Sequence, residues 1–125
     1  MPSIQTAQEI RDILRRLEHD SIRAVQVLGI NSLKSISPLP EDLIGARVTR
    51  TAVDDRILTI DADAFRISVD LQRTGRLVWL PSADAYRAIA GDSRPTLRLL
   101  LASGAGLDLT EPAKTKRITV TLSTA

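Results

Sequence analysis

Three cationic side chains lie within four residues of one another, just before the last predicted strand. Lys114, Lys116 and Arg117 belong to the segment Glu111-Pro112-Ala113-Lys114-Thr115-Lys116-Arg117. Cations and backbone amides in such a loop bind phosphate oxygens, a contact that carries no base specificity. A solvated charged turn has the same composition. The segment therefore predicts either a phosphate-binding loop or an ordinary surface turn.

The sequence lacks the residues that most catalytic and metal sites require. It has no cysteine and one histidine, His19, which excludes thiol nucleophiles, disulfide scaffolds, zinc ribbons and multi-histidine metal sites. We interpret His19 as a surface or helix-end residue. The carboxylate pairs Asp54/Asp55 and Asp61/Asp63 supply too few oxygen ligands for a calcium loop, and we predict that they lie in turns. We therefore expect neither a metal nor a cofactor.

Length and composition indicate one globular domain. The chain has 125 residues, a net charge of +2, 43% hydrophobic residues and 2% aromatic residues. A chain of this length buries roughly two-thirds of its unfolded surface, so we predict a single domain over residues 1–125. The small net charge does not by itself indicate a nucleic-acid partner. The aromatic residues Phe65, Trp79 and Tyr86 are too few for a platform that stacks single-stranded bases.

No segment of the sequence has the character of a membrane span or a signal peptide. The longest apolar runs have four residues, as in Leu77–Leu80 and Leu99–Ala102, whereas a membrane-spanning helix needs about 20. The first twenty residues are charged where a signal peptide is apolar. The absence of cysteine fits a reducing compartment. We predict a cytoplasmic protein without membrane contacts.

One amphipathic helix is predicted near the start of the chain. Its apolar residues recur at i, i+3, i+4 and i+7, namely Ile10, Ile13, Leu14 and Leu17. Thr6 and Glu9 have the spacing of a capping box, in which each side chain accepts the other residue's backbone N–H. We predict that the helix begins after Thr6 and ends near His19 or Asp20.

The rest of the chain predicts eight short strands. They are Ile22–Leu28, Arg47–Val53, Arg56–Asp61, Ala64–Leu71, Arg76–Leu80, Thr96–Ala102, Leu107–Thr110 and Arg117–Leu122. The two longest connections are predicted to contain helical turns at Glu41–Ile44 and Ala83–Ile89. Many short, locally connected strands indicate a mainly β fold. We predict a two-layer antiparallel β-sandwich with an N-terminal α-helix and one or two short helical turns.

The segments also follow one another in a recognisable order. From the N-terminus they are Met1-Pro2, the helix with Glu9-Ile10-Arg11, Leu43–Val48, a strand pair, Leu71–Leu77 and Leu109–Pro112. This order resembles the N-terminal domain of formamidopyrimidine-DNA glycosylase and endonuclease VIII over nearly the whole chain. The resemblance implies a two-layer antiparallel β-sandwich flanked by helices, with DNA as the partner.

The resemblance implies that one catalytic group is retained and two are replaced. Pro2 matches the proline whose amine forms a Schiff base with the sugar carbon. Ser3 stands where the family has a glutamate that handles protons, and a hydroxyl does not replace a carboxyl group near pH 7. Arg56 stands where the family has a catalytic lysine, and arginine stays protonated. We expect little or no glycosylase activity.

The resemblance further implies that DNA-binding charge persists while the apolar wedges are lost. Arg73 and Thr115 replace a methionine and a phenylalanine that fill the gap left by a flipped base, and this removes support for base flipping. The basic residues at positions that face DNA in the family are Arg56, Arg73, Lys114, Lys116 and Arg117. The chain ends where the family's second half begins, and without cysteine it cannot form that half's usual zinc finger.

Three functional hypotheses remain open at this point. The first is a stand-alone, catalytically degenerate relative that binds double-stranded or abasic DNA through backbone phosphates. The second is a protein-interaction or structural module, which predicts a protein partner or a homodimer. The third is a residual abasic-site lyase that uses the Pro2 amine alone.

Overall fold

The computed structural model describes residues 4–29, 32–87, 94–112 and 117–124. Its elements in chain order are α1 (Ala7–Arg15), β1 (Ile22–Val27), a 3₁₀ helix (Pro40–Leu43), β2 (Val48–Asp54), β3 (Ile57–Ala62), β4 (Phe65–Asp70), β5 (Arg76–Leu80), β6 (Leu97–Leu101), β7 (Gly106–Thr110) and β8 (Thr119–Thr124). The strands form two antiparallel sheets of four. The first sheet has the order β1-β6-β7-β5 and the second sheet the order β2-β3-β4-β8. The predicted mainly β fold is confirmed.

The two sheets and the helix share one apolar core. Leu58 and Ile67 come from the second sheet, Leu99 and Leu107 from the first, and Leu14 from α1, and all five side chains are buried. Alternate residues of each strand point into this core because side chains in a strand alternate between its two faces. Burying each such side chain stabilises the fold by about 1.5–3 kcal/mol.

All eight predicted strands are present, and their ends lie within two residues of the predicted positions. The predicted turn positions of Asp55 and Asp63 are also confirmed, but those of Asp54 and Asp61 are wrong, because Asp54 is the last residue of β2 and Asp61 lies within β3. Asp55 and Asp63 have positive φ angles of 55° and 49° between the strands that they connect, a conformation in which aspartate is enriched. The turn predicted at Glu41–Ile44 is the 3₁₀ helix Pro40–Leu43.

Helix α1 begins as predicted but ends earlier. The Thr6 hydroxyl accepts the Glu9 N–H at 3.1 Å, and the Glu9 carboxylate accepts the Thr6 N–H at 3.2 Å. The predicted end near His19 or Asp20 is wrong, because α1 stops at Arg15. Exposed His19 has a φ of 76° and donates its N–H to Val48 O at 2.8 Å. Pairing with β2 therefore replaces the last helical turn. No helix in the described ranges is long and apolar enough to cross a membrane.

The helical turn predicted at Ala83–Ile89 is absent from its described part, residues 83–87. Side chains of the first sheet bind this segment's backbone instead. Gln26 Nε2 donates to Tyr86 O at 3.2 Å, and Tyr86 N–H donates to Gln26 Oε1 at 2.7 Å. Arg23 donates to Ala83 O at 2.7 Å. These bonds occupy backbone N–H and C=O groups that would otherwise pair with each other in a helical turn. Residues 88 and 89 lie outside the described residues.

Gly106 gives residues 83–87 the space to lie on the first sheet. A Cβ atom there would come within 2.7 Å of Ala83 Cβ and 2.9 Å of Leu99 O. We expect Gly106→Ala to lower the free energy of unfolding by about 1–3 kcal/mol, as overpacking does, measured by urea denaturation. Because Ala83→Gly removes one of the two clashes, the double variant should lose less than the sum of the single losses. A strictly additive double variant would contradict this assignment.

Candidate nucleic-acid interface

Gln5 fixes residues 4–6, which we call the N-terminal segment, to the edge of the first sheet. Its side-chain Nε2 donates to Leu77 O at 3.0 Å, and Leu77 N–H donates to its Oε1 at 2.8 Å. Because β5 is an edge strand, this amide takes the place of a neighbouring strand at Leu77. Gln5 is only 5% exposed. Pro2 and Ser3 lie outside the described residues, and the described chain begins beside them at Ile4.

Arg56 joins the N-terminal segment to residues 72–75, which we call the Arg73 turn. Its Nε donates to Gln72 O and its Nη1 to Gln5 O, each at 2.9 Å. Its Nη2 donates to Gly75 O and, at 3.5 Å, to Arg73 O. Four backbone carbonyls thus accept hydrogen bonds from this one guanidinium. The structure therefore gives Arg56 a positioning role, and these contacts leave its guanidinium little capacity for a phosphate.

The Arg73 turn is stabilised from within, so that Arg73 projects from it. Asp70 Oδ1 accepts the Gln72 N–H at 2.9 Å, and Gln72 has a φ of 57°. Gly75 N–H donates to Leu71 O at 3.0 Å, and a Cβ at Gly75 would lie 2.5 Å from that oxygen. Arg73 is exposed, and its guanidinium has no hydrogen-bond acceptor among the described residues.

A buried carboxylate connects the Arg73 turn to residues 111–117, which we call the basic loop. Glu111 is 6% exposed. Its Oε1 accepts the N–H groups of Arg117 at 2.7 Å and Ile118 at 3.2 Å, and its Oε2 accepts the Thr74 hydroxyl at 3.2 Å. Residues 113–116, and with them Lys114 and Lys116, lie outside the described residues. Two exposed arginines adjoin these contacts. Arg73 precedes Thr74 in the chain, and Arg117 is itself bound to the carboxylate through its backbone N–H.

An open groove of about 900 Å³ lies on one side of Arg56. Its lining is mixed in charge, with Asp54, Asp55 and Asp70 beside Arg73, and it includes two exposed apolar side chains, Ile4 and Ile57. A smaller cavity of about 50 Å³ lies among the N-terminal segment, the Arg73 turn and Pro112. The groove therefore brings three carboxylates next to one exposed cation, Arg73. Among the described residues, no three histidine, aspartate or glutamate side chains are grouped to hold a metal.

Sequence reasoning missed the residues that position this surface. Gln5, Asp70 and Glu111 were assigned no role, although each accepts hydrogen bonds from the backbone of the site. Glu111 lies inside the Leu109–Pro112 segment that carries the resemblance, and that was the available signal. For Gln5 the sequence offers no such signal, because its partner is 72 residues away.

The comparisons with known proteins rest on structure alone. No family model matches the sequence, and no curated protein matches it. Solved structures do match. Lactococcus lactis FPG (MutM) in a complex with FAPY-dG-containing DNA has a TM-score of 0.73 at 18% identity, covering 92% of this chain and 41% of that chain. The same figures hold for L. lactis Fpg with DNA containing an abasic site.

A third match is the wild-type L. lactis FPG (MutM) in a complex with DNA that contains an oxidized pyrimidine. Its TM-score is 0.76 at 17% identity, and the alignment covers 98% of this chain and 44% of that chain. The chain thus spans about two-fifths of the length of these structures. At this identity the likeness establishes the fold, and the chain has the fold of the N-terminal domain of formamidopyrimidine-DNA glycosylase.

Proposed function

We propose that the protein binds duplex DNA through backbone phosphates and does not excise bases. The contacts come from Arg73 and Arg117, together with Lys114 and Lys116 of the basic loop. The observation that carries the proposal is the Glu111 carboxylate, which accepts hydrogen bonds from the Thr74 hydroxyl and the Arg117 N–H and so brings together the segments that present the exposed Arg73 and Arg117. The matching solved structures are named as DNA complexes, which supports the same partner.

The charge distribution explains where on this surface a phosphate backbone binds. Asp54, Asp55 and Asp70 line the open groove beside Arg56 and repel phosphates. Arg73 also lines this groove but is exposed, as is Arg117 next to the Glu111 carboxylate, and long cationic side chains of this kind contact phosphate oxygens. Such contacts position DNA without reading its sequence. Binding is therefore weakly selective and strongly dependent on salt.

We expect Arg73→Ala and Arg117→Ala each to weaken DNA binding similarly for intact duplexes of different sequence. The slope of log K against log salt should fall by about 1 for each lost phosphate contact. Fluorescence anisotropy across a salt series measures both quantities, with a duplex containing an abasic-site analogue as a second ligand. Arg11→Ala is the matched control, because Arg11 is an exposed arginine on α1. An equal effect in the control, or a loss confined to one sequence, would contradict the proposal.

Arg56 is expected to affect stability more than any exposed arginine does. Arg56→Ala leaves four backbone carbonyls without their donor, and we expect a loss of about 2–4 kcal/mol in the free energy of unfolding. Arg73→Ala should change it by less than about 0.5 kcal/mol, as exposed substitutions usually do. Arg56→Lys should recover little, because an ammonium cannot match the planar fork of a guanidinium. Urea denaturation measures the free energy of unfolding of the three variants. Equal losses for Arg56→Ala and Arg73→Ala would refute the positioning role of Arg56.

The lyase hypothesis is tested by reducing a Schiff base. We expect borohydride to trap no more covalent complex between abasic-site DNA and the protein from which Met1 has been removed than it traps with the same protein after acetylation of its N-terminal amine. The reason is that Ser3 supplies no carboxyl group and that the Arg56 guanidinium stays protonated. An adduct that depends on the free Pro2 amine would establish the lyase hypothesis, while leaving the proposed DNA binding and the absence of base excision intact.

A further inference from the structure

The outward face of the second sheet carries three rows of side chains whose positions follow from the strand register. The first row is Arg50, Asp61, Arg66 and Ser123; the middle row is Ala52, Thr59, Ser68 and Thr121; the third row is Asp54, Ile57, Asp70 and Thr119. The residues between them, such as Leu58, Ile67 and Val120, are buried in the core. The three rows therefore point away from the core.

The middle row is flat. It contains no side chain longer than threonine, and each of its four residues is exposed or half-buried. Sheets that pack face to face lie about 10 Å apart, and small facing side chains permit this distance. The row extends across all four strands of the second sheet, so the flat region is as wide as the sheet itself.

The first and third rows carry opposite charge. The first row has two cations, Arg50 and Arg66, and one anion, Asp61, which sums to +1. The third row has two anions, Asp54 and Asp70, and no cation, which sums to −2. Asp61 already contacts Arg66 at 2.6 Å, and this hydrogen bond raises the Arg66 pKa. Arg50 has no ion-pair partner among the described residues.

We propose that two copies of the chain pack face to face through this surface, about a two-fold axis along the middle row. The rotation places the first row of one copy over the third row of the other and leaves each strand opposite its own counterpart. Arg50 then faces Asp54 of the partner subunit, and Arg66 faces Asp70 of the partner subunit. Because a two-fold interface is isologous, each pair occurs twice. Packing also covers Ile57, which is 50% exposed.

The surface is small for a stable dimer. Four strands at about 4.8 Å spacing and five residues at about 3.4 Å rise span roughly 19 by 17 Å. The two faces together bury roughly 650 Å², less than the 1,200–2,000 Å² of stable complexes. The dimer is therefore expected to be weak and transient, and its ion pairs weaken as salt screens them.

The test is a charge exchange between two positions of one strand. Arg50 and Asp54 lie four residues apart in β2, which places them about 13 Å from each other and prevents contact within one chain. We expect Arg50→Glu and Asp54→Arg each to raise the dissociation constant at least about tenfold, and the double variant to return to within about threefold of the unchanged protein. Sedimentation equilibrium without DNA at low salt measures all three.

The control is Arg47→Glu, which reverses an exposed arginine next to β2 but outside the three rows and should leave the dissociation constant unchanged. Three results would overturn the proposal. They are a monomer at about 1 mM and low salt, a dimer that neither single variant weakens, and a double variant no better than the single ones. None of these measurements involves DNA, so they do not bear on the proposed DNA binding.

Discussion

The apolar faces of the two sheets exclude water only by packing on each other, and the register of every strand follows from that requirement. A shift of one residue in β3 or β4 would turn Leu58 or Ile67 outward and place a polar neighbour in the core. The same constraint arranges the outward face, since its rows are the residues that the core leaves out. The charge pattern of that face is therefore as well determined as the core itself.

A sandwich of two open sheets leaves four edge strands, and this chain closes each of them with a nearby segment. Gln5 binds β5 at Leu77, and Glu18 accepts both the N–H and the hydroxyl of Thr51 on β2. Lys34 donates to Val120 on β8, and Ile22 on β1 donates to Ala46 O. An unprotected edge pairs with other chains. These hydrogen bonds occupy part of each edge, two through side chains and two through the backbone, and therefore disfavour pairing of another chain with the edges.

The elements that depend on local sequence were predictable, and those that depend on distant partners were not. Thr6 and Glu9 cap a helix through their spacing alone, and alternation of side chains marks each strand. The end of α1 depends on Val48 O, which accepts the His19 N–H, and the conformation of Tyr86 depends on Gln26, 60 residues away. Such bonds leave no local pattern. The candidate site divides in the same way, because exposed Arg73 was predicted whereas its supports Glu111 and Gln5 were not.

Arg56 shows how one substitution can give a site residue a structural role while removing a catalytic one. The resemblance implies a lysine at this position, and an ammonium has three donors around one point. The Arg56 guanidinium instead reaches carbonyls of both the N-terminal segment and the Arg73 turn through its Nε, Nη1 and Nη2. A residue committed to these acceptors braces two segments but does not exchange protons. In the proposed DNA binding, the exposed cations Arg73 and Arg117 need only be presented to a polyanion, and bracing the turn meets that need without any acid–base group.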